Sequence, residues 1–169
     1  GRVNVEMATS FYFFNQKTRV QNLLHQLKYQ GVKEVGEIVG QLMGVELNDS
    51  IYYQNIDFVV PVPLHKDKLK KRGYNQSEWI AKGLSSVMGI PLQTNSLYRK
   101  EDSPTQTNKT RYKRWENVNE IFGLNNELLA KKKVLLVDDV ITTGATIEAC
   151  AQVLINKHCT VFVATIASA

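Results

Sequence analysis

One segment of the chain, residues 134–146, constrains the fold more than any other. The apolar run Val134–Val137 is followed by Asp138 and Asp139, then by two apolar residues and a turn of small residues, Thr142–Thr146. Such a run is typical of a central parallel strand, and the helical spacing of apolar residues after the turn predicts a helix. The strand would carry two carboxylates to the carboxyl edge of a parallel sheet, where open α/β folds bind their ligands.

The residue types in this turn point to a ligand with two kinds of group. Small residues and a glycine let backbone amides approach a ligand closely, and a helix N-terminus favours a phosphate. Carboxylates do not bind phosphate directly, but they suit hydroxyl groups or a hydrated cation. A sugar phosphate with free hydroxyls, together with Mg²⁺, satisfies both halves of the turn.

Strands and helices alternate along the rest of the chain, which predicts an α/β fold with a parallel sheet. Gly31 and Gly44 are expected to end the first two helices, and Trp79 is expected in the core. Residues 101–110 contain no apolar residue and are expected to form a mobile loop. Apolar runs predict further strands at 11–14, 56–60, 92–98 and 160–166. Helical spacing predicts helices around 20–27, 35–42, 75–88 and 111–118, the second burying Val35, Ile38, Val39 and Leu42.

Composition and missing motifs exclude several classes of protein. A length of 169 residues fits one domain, no apolar stretch is long enough to span a membrane, and the first residues lack the apolar region of a signal peptide. Two cysteines, Cys150 and Cys159, exclude a disulfide framework and a four-cysteine zinc site, and favour the cytoplasm. A receiver domain is excluded because only 30 residues follow Asp139. Walker A and dinucleotide-binding glycine motifs are absent.

Positive charge is concentrated in two segments. The chain has a net charge of +5, yet residues 65–75 and residues 99–115 each carry +4. These segments are either solvated loop faces or surfaces that face an anion, such as a phosphate, a pyrophosphate or a nucleic-acid backbone.

Residues 134–146 resemble the phosphoribosyl pyrophosphate (PRPP) motif of the type I phosphoribosyltransferases, and all thirteen positions fit that motif. Segments 61–65 and 72–78 are similar to the ComF family of competence-associated proteins, as are Leu27-Lys28-Tyr29 before Gly31, and Gln106 followed by Arg111, Asn117-Val118 and Phe122. The resemblance implies a single type I phosphoribosyltransferase domain over residues 1–169, with a small N-terminal hood element and a role in the uptake of external DNA. The four-cysteine zinc module often found at the N-terminus of ComF proteins does not occur in this sequence.

The same resemblance implies roles for particular residues. Mg²⁺ would enter with PRPP, without a direct protein ligand. The residues expected to take part in catalysis are Asp138, Asp139, Arg99, Lys100 and Arg111. The ribose and its 5′-phosphate would contact Asp138, Asp139, Thr142, Thr143, Gly144, Ala145 and Thr146. The pyrophosphate would contact Val62, Pro63, Leu64, His65, Arg72 and Asn75. Lys28 is a further candidate, while His25 and His158 fit no site pattern.

Two functions remain open from the sequence. The first is an active phosphoribosyltransferase, a glycosyltransferase whose acceptor is unidentified; Thr142 stands where purine-salvage members often have Asp, which argues against a 6-oxopurine. The second is a non-catalytic module that senses PRPP or binds single-stranded DNA and other competence proteins. Tyr74, Tyr112 and Trp115 are candidates for base stacking in that case.

Overall fold

A four-stranded parallel sheet organises the chain. The structure, a computed structural model, describes residues 3–13, 19–100, 121–125 and 127–169. The strands are β1 (Met7–Phe13), β2 (Phe58–Pro61), β3 (Leu97–Arg99), β4 (Phe122–Leu124), β5 (Lys133–Ile141) and β6 (Thr160–Ser168). The order in the main sheet is β1-β6-β5-β2, with every pair parallel, while β3 and β4 form a separate antiparallel pair. The predicted α/β class and the interior position of β5 are confirmed.

Helices cover both faces of the sheet. They are α1 (Arg19–Tyr29), α2 (Glu34–Asn48), α3 (Lys66–Arg72), α4 (Gln76–Met88) and α5 (Ala145–Ile155). On β5, Leu135 and Val137 pack toward α1, α2 and α4, whereas Val134 and Leu136 pack toward α5 and the β3–β4 pair. Successive side chains of a strand point to opposite faces, so a strand buried on both sides needs the continuous apolar run that the sequence shows.

Helices α2 and α4 pack with their backbones in close contact. Gly40 lies on the contact face of α2, and Gly83 faces it from α4. A Cβ atom at Gly40 would lie 2.0 Å from the carbonyl oxygen of Ile80, and one at Gly83 would lie 2.0 Å from that of Glu37. Any larger side chain at either position would therefore push the two helices apart.

This contact also decides which side of α2 is buried. Gly44 lies against α4 within the helix, so α2 continues to Asn48, and the prediction that Gly44 ends it is wrong. Ile38 and Leu42, predicted to face the core, are 57% and 58% exposed, whereas Val39 is buried as predicted. The glycine face rotates the helix so that part of the predicted apolar stripe points outward.

The basic segment after β2 is a helix rather than the expected loop. At its start, Nδ1 of His65 accepts a hydrogen bond from the amide of Asp67 at 3.2 Å, and at its end Gly73 has a φ of 84°. No side chain of α3 is buried. Its five basic residues therefore remain at the surface: Lys66, Lys68, Lys70, Lys71 and Arg72.

Other elements depart from the sequence predictions at their ends. β1 starts four residues earlier than predicted, because it pairs with β6 from Met7 onward. Of the predicted strand 92–98, Leu92 makes one bridge to Val59, and the strand proper is Leu97–Arg99. The predicted loop 101–110 and helix 111–118 lie outside the described residues.

Trp79 is half-buried rather than a core residue. The ammonium nitrogens of Lys33 and Lys82 lie 4.7 and 4.6 Å from the centre of its ring. The ring thus forms cation–π contacts at the surface of α4.

Within the described ranges, no helix combines the length and the apolar character that a membrane crossing requires.

Candidate active site

An open cleft of about 500 Å³ lies at the carboxyl end of β5. Its walls come from α1, from the loop after β2, from α3 and from the first turn of α4. The acidic and basic residues that line it are Asp138, Asp139, Lys28, Lys68, Arg72, Arg99, His25 and His65. The fold thus brings the predicted acid pair and a part of the predicted basic residues into one cavity.

Asp138 is buried at the bottom of this cleft. Its Oδ1 accepts hydrogen bonds from Oγ of Ser77 at 2.8 Å and from the amide of Asp139 at 2.9 Å. Burial, and after it the charge of Asp139, raises the pKa of Asp138 from its ordinary 3.8 to about 7. Three interactions lower this pKa: the hydrogen bonds from Ser77 and from the amide of Asp139, and the charge of Lys28. The carboxyl group of Asp138 therefore exchanges its proton near neutral pH.

Asp139 is paired with a lysine from the other end of the chain. Its Oδ2 lies 2.8 Å from the ammonium nitrogen of Lys28, and its Oδ1 accepts a hydrogen bond from the amide of Val140 at 2.7 Å. Both acids lie within β5, which extends to Ile141, and not in the turn that follows it. Asp138 pairs in register with Thr165 of β6 and Val140 with Ala167, while the amides of Asp139 and Val140 donate to the two carboxylates.

The turn after β5 leads directly into α5. Gly144, with a φ of 78°, occupies the N-cap position of α5 and provides no side chain to accept from the amides of the first turn. The predicted turn residues Thr142, Thr143, Gly144, Ala145 and Thr146 surround a small hollow of about 30 Å³. Thr142 and Thr146 also line the main cleft. The helix N-terminus thus presents amides and the positive end of its dipole beside the cleft.

The loop after β2 forms another wall of the cleft. The predicted pyrophosphate-binding residues Val62, Pro63, Leu64 and His65 line the cleft. Asn75 does not line it: its side-chain amide donates to the carbonyl oxygen of Val62 at 2.9 Å and its oxygen accepts from the amide of Ser77 at 3.1 Å. Asn75 therefore positions the loop and caps α4, instead of reaching a ligand directly.

Among the predicted cations, Arg72 and Arg99 line the cleft, whereas Lys100 does not. Arg72 donates from Nη1 to the side-chain oxygen of Gln76, and the guanidinium carbon of Arg99 lies 5.6 Å from the ring centre of Phe122. Arg111 lies outside the described residues. The basic wall that the structure describes therefore consists of α3 and Arg99.

Sequence reasoning missed several lining residues. Lys68 belongs to the basic segment that was expected to face an anion, and Ser77 to a segment similar to the ComF family, but neither residue was singled out. Gln21, His25 and Tyr29 were not recognised, although their spacing of four places them on one side of α1. The rings of His25 and Tyr29 lie 5.2 Å apart at an angle of 44°. Helix α1 thus covers one side of the cleft, where a hood element was expected.

The chemistry of the acid pair can be tested against Mg²⁺, which the resemblance implies. Within the described residues there is no group of three or more His, Cys, Asp or Glu side chains that could hold a metal ion. Asp138 and Asp139 do offer the carboxylate oxygens that Mg²⁺ prefers. The acid pair therefore suits an Mg²⁺ ion that arrives with ligand oxygens and water, as the resemblance implies.

Comparisons with known proteins identify the family of this chain. The family described as "Phosphoribosyl transferase domain" matches residues 28–169. Competence protein F of Haemophilus influenzae is 29% identical over 138 residues, which are 78% of this chain and 60% of that protein. DNA utilization protein YhgH of Salmonella typhimurium is 30% identical over 138 residues, 80% of this chain and 60% of that protein.

A third relative, Competence protein ComFC of Streptococcus pneumoniae, is 28% identical over 141 residues, 83% of this chain and 59% of that protein. The chain thus spans about 60% of the length of these relatives. The solved AQ2163 protein from Aquifex aeolicus shares the fold, with a TM-score of 0.51 at 10% identity over 96% of this chain and 87% of the other. The chain belongs to the phosphoribosyl transferase domain family, among relatives of the ComF type, which confirms the resemblance drawn from residues 134–146.

Proposed function

We propose that this chain binds PRPP with Mg²⁺ and transfers the phosphoribosyl group to an acceptor in the handling of DNA. The observation that carries the proposal is the cleft itself: two buried carboxylates lie between a helix N-terminus with a glycine cap and a wall of basic side chains. PRPP has the complementary groups, namely ribose hydroxyls, a 5′-phosphate and a diphosphate.

The acid pair would accept hydrogen bonds from the ribose hydroxyls. Asp138 is oriented by Ser77, and Asp139 by Lys28 and the amide of Val140. A hydroxyl donating to Asp138 favours the ionised carboxylate, so binding would release the proton that the empty site holds near neutral pH. The 5′-phosphate would lie at the turn, where the amides at the start of α5 can donate to it.

The basic wall would neutralise the leaving diphosphate. Lys68, Arg72 and Arg99 line the same cleft as the acids, and an Arg guanidinium can donate two parallel hydrogen bonds to a diphosphate. Charge that develops on the leaving group is stabilised by cations already in position. Mg²⁺, when bound with PRPP, would supply further positive charge to the same oxygens.

The acceptor would approach along α1. His25 and Tyr29 are both exposed and present their rings at the cleft. Aromatic rings favour a planar or apolar partner. Thr142, in place of an acid, continues to argue against a 6-oxopurine as that partner.

The experiment is calorimetry with PRPP and Mg²⁺. Replacing both acids (Asp138→Asn with Asp139→Asn) should reduce PRPP affinity at least about 100-fold, because two hydrogen bonds to charged acceptors are each worth roughly 1.5–3 kcal/mol. Asp49→Asn, at the exposed C-terminal end of α2, is the matched control and should bind like the parent. Equal affinity in a folded double variant would refute the proposal.

A second candidate function, binding of single-stranded DNA, is supported by α3 and by the names of the relatives. We propose that its basic side chains contact DNA phosphates at the mouth of the cleft. Of the three candidates for base stacking, Tyr74 is half-buried and its hydroxyl donates to the carbonyl of Leu27. Tyr112 and Trp115 lie outside the described residues. With about four phosphate contacts, affinity should fall about 50-fold between 50 and 200 mM salt.

Competition separates the two candidates. Since PRPP would occupy Lys68 and Arg72, saturating Mg–PRPP should weaken the binding of a labelled single strand in an anisotropy titration. Undiminished binding would exclude an overlap of the sites, and no binding at 50 mM salt would exclude the DNA role of this domain.

Cys150 and Cys159 are both free and buried, which supports the proposal of a reducing, cytoplasmic compartment.

A further inference from the structure

The outer side of α2 exposes an apolar stripe. Ile38, Leu42 and Val45 follow one another at spacings of four and three residues, and they are 57%, 58% and 53% exposed. Ile51 and Tyr52, directly after the helix, are 79% and 61% exposed. We call these five residues the α2 patch. With roughly 150–200 Å² for each fully exposed side chain, the patch presents about 500 Å², near the upper limit for a monomeric protein.

Negative charge flanks this patch. Glu34, Glu46 and Asp49 are exposed and each stands four residues from one of the three helical members of the patch. Between residues 34 and 65 the sequence contains no Lys or Arg, although the whole chain has a net charge of +5. Across the helix, Lys82 of α4 pairs with Glu37 at 3.1 Å. The charge around the patch is therefore opposite to that of the active-site cleft.

This combination of features restricts the occupant. A second copy of the chain on a two-fold axis would bring the patch against itself. In that arrangement the acids of one helix would face the acids of the other, which opposes association. An anionic membrane surface or a nucleic acid would be repelled for the same reason. A segment that matches the patch carries apolar residues at helical spacing and basic residues beside them.

We propose that the α2 patch is a docking surface for a basic amphipathic helix of a partner protein. The helix would lay its apolar side on Leu42 and its neighbours, and its Lys and Arg side chains would reach the acids along the rim. This surface is separate from the cleft, since no residue of the patch lines it. The proposal therefore does not depend on PRPP binding.

The test uses a labelled synthetic peptide of about 18 residues, with Leu at the a and d positions and Lys elsewhere. A control peptide has Glu in place of every Lys. The Lys peptide should bind this chain with 1:1 stoichiometry, and Leu42→Ser with Val45→Ser should weaken binding at least tenfold while leaving the urea unfolding midpoint nearly unchanged. Leu128 is an exposed leucine far from the patch in the sequence. The control variant Leu128→Ser should therefore bind the Lys peptide like the parent.

Charge-reversal substitutions test whether the acidic residues beside the patch contribute to binding. Glu46→Lys with Asp49→Lys should weaken the Lys peptide at least tenfold and should strengthen binding of the Glu peptide. Binding of the Lys peptide that neither pair of substitutions affects would place it elsewhere and overturn the proposal. Sedimentation that shows a dimer, converted to a monomer by Leu42→Ser with Val45→Ser, would mean that a second copy covers the patch and would overturn it as well.

Discussion

Replacing Asp138 by asparagine tests whether the active site is built at the expense of stability. The carboxyl group is 7% exposed, and burial together with the charge of Asp139 raises its pKa from 3.8 to about 7. Since one pKa unit corresponds to about 1.36 kcal/mol, ionised Asp138 costs the folded state up to about 4 kcal/mol. Asparagine keeps an oxygen that can accept from Ser77 and from the Asp139 amide, but it carries no charge.

The sign of the pH dependence follows from the raised pKa. Below about pH 4 the carboxyl group is protonated in both the folded and the unfolded chain, so it contributes no difference. Between about pH 4 and pH 7 only the folded chain holds the proton, so this group makes stability fall as pH rises. Above pH 7 the full cost is present. Asp138→Asn should therefore be about as stable as the parent at pH 4 and about 2–4 kcal/mol more stable at pH 8.5.

Urea unfolding of both proteins at several pH values measures this difference. Asp67→Asn, whose side chain is 83% exposed, is the control and should shift stability by no more than about 0.5 kcal/mol at any pH. A variant that is less stable than the parent at pH 8.5, or a difference that does not change with pH, would refute the reasoning. If the proposed function is right, the same variant should also bind PRPP poorly, because it offers no charged carboxylate to the ribose hydroxyls.

Three further outcomes can be measured on the same material. Gly40→Ala should lower the free energy of unfolding by at least about 2 kcal/mol, because its Cβ would meet the carbonyl of Ile80 at 2.0 Å. The control Gln41→Ala, at an exposed position of the same helix, should leave the free energy of unfolding nearly unchanged. Equal urea midpoints for the two variants would contradict this prediction. Lys28→Met should raise the pKa of Asp138 further, since the ammonium group of Lys28 lowers that pKa. An NMR titration that finds the pKa unchanged would show that the charge of Lys28 has no effect on Asp138. Tyr74→Phe should cost about 1 kcal/mol in urea unfolding, because it removes the hydrogen bond to the Leu27 carbonyl, and unchanged stability would show that this bond contributes nothing.

The sheet could be predicted because its signal is local. β5 and β6 are apolar runs whose residues pack on both faces, so the pattern and the structure depend on the same property. The orientation of α2 could not be predicted in the same way. Ile38 and Leu42 fit a helical stripe as well as Val39 and Met43 do, and the choice between them depends on where the glycines meet α4.

The same distinction between local and long-range signals applies to the residues of the candidate site. Asp138, Asp139 and the turn were found because they are adjacent in sequence and their chemistry is complementary. Lys68, Ser77, His25 and Tyr29 reach the cleft from other elements. Their segments stood out by charge or by family resemblance, but neither signal distinguishes the residues that line the cleft from their neighbours. Asn75 was assigned to the pyrophosphate because it opens a helix beside the loop 61–65, but its side chain caps α4 and holds the loop at Val62.

The glycine contact between α2 and α4 has a mechanical consequence. The backbones of the two helices approach so closely at Gly40 and Gly83 that no side chain separates them there, so we expect a displacement of α2 to act directly on α4. The first turn of α4 carries Ser77, whose hydroxyl is 2.8 Å from Asp138, while the outer side of α2 carries exposed apolar side chains. A force applied to the outside of α2 would therefore reach the acid at the bottom of the cleft without passing through any loop.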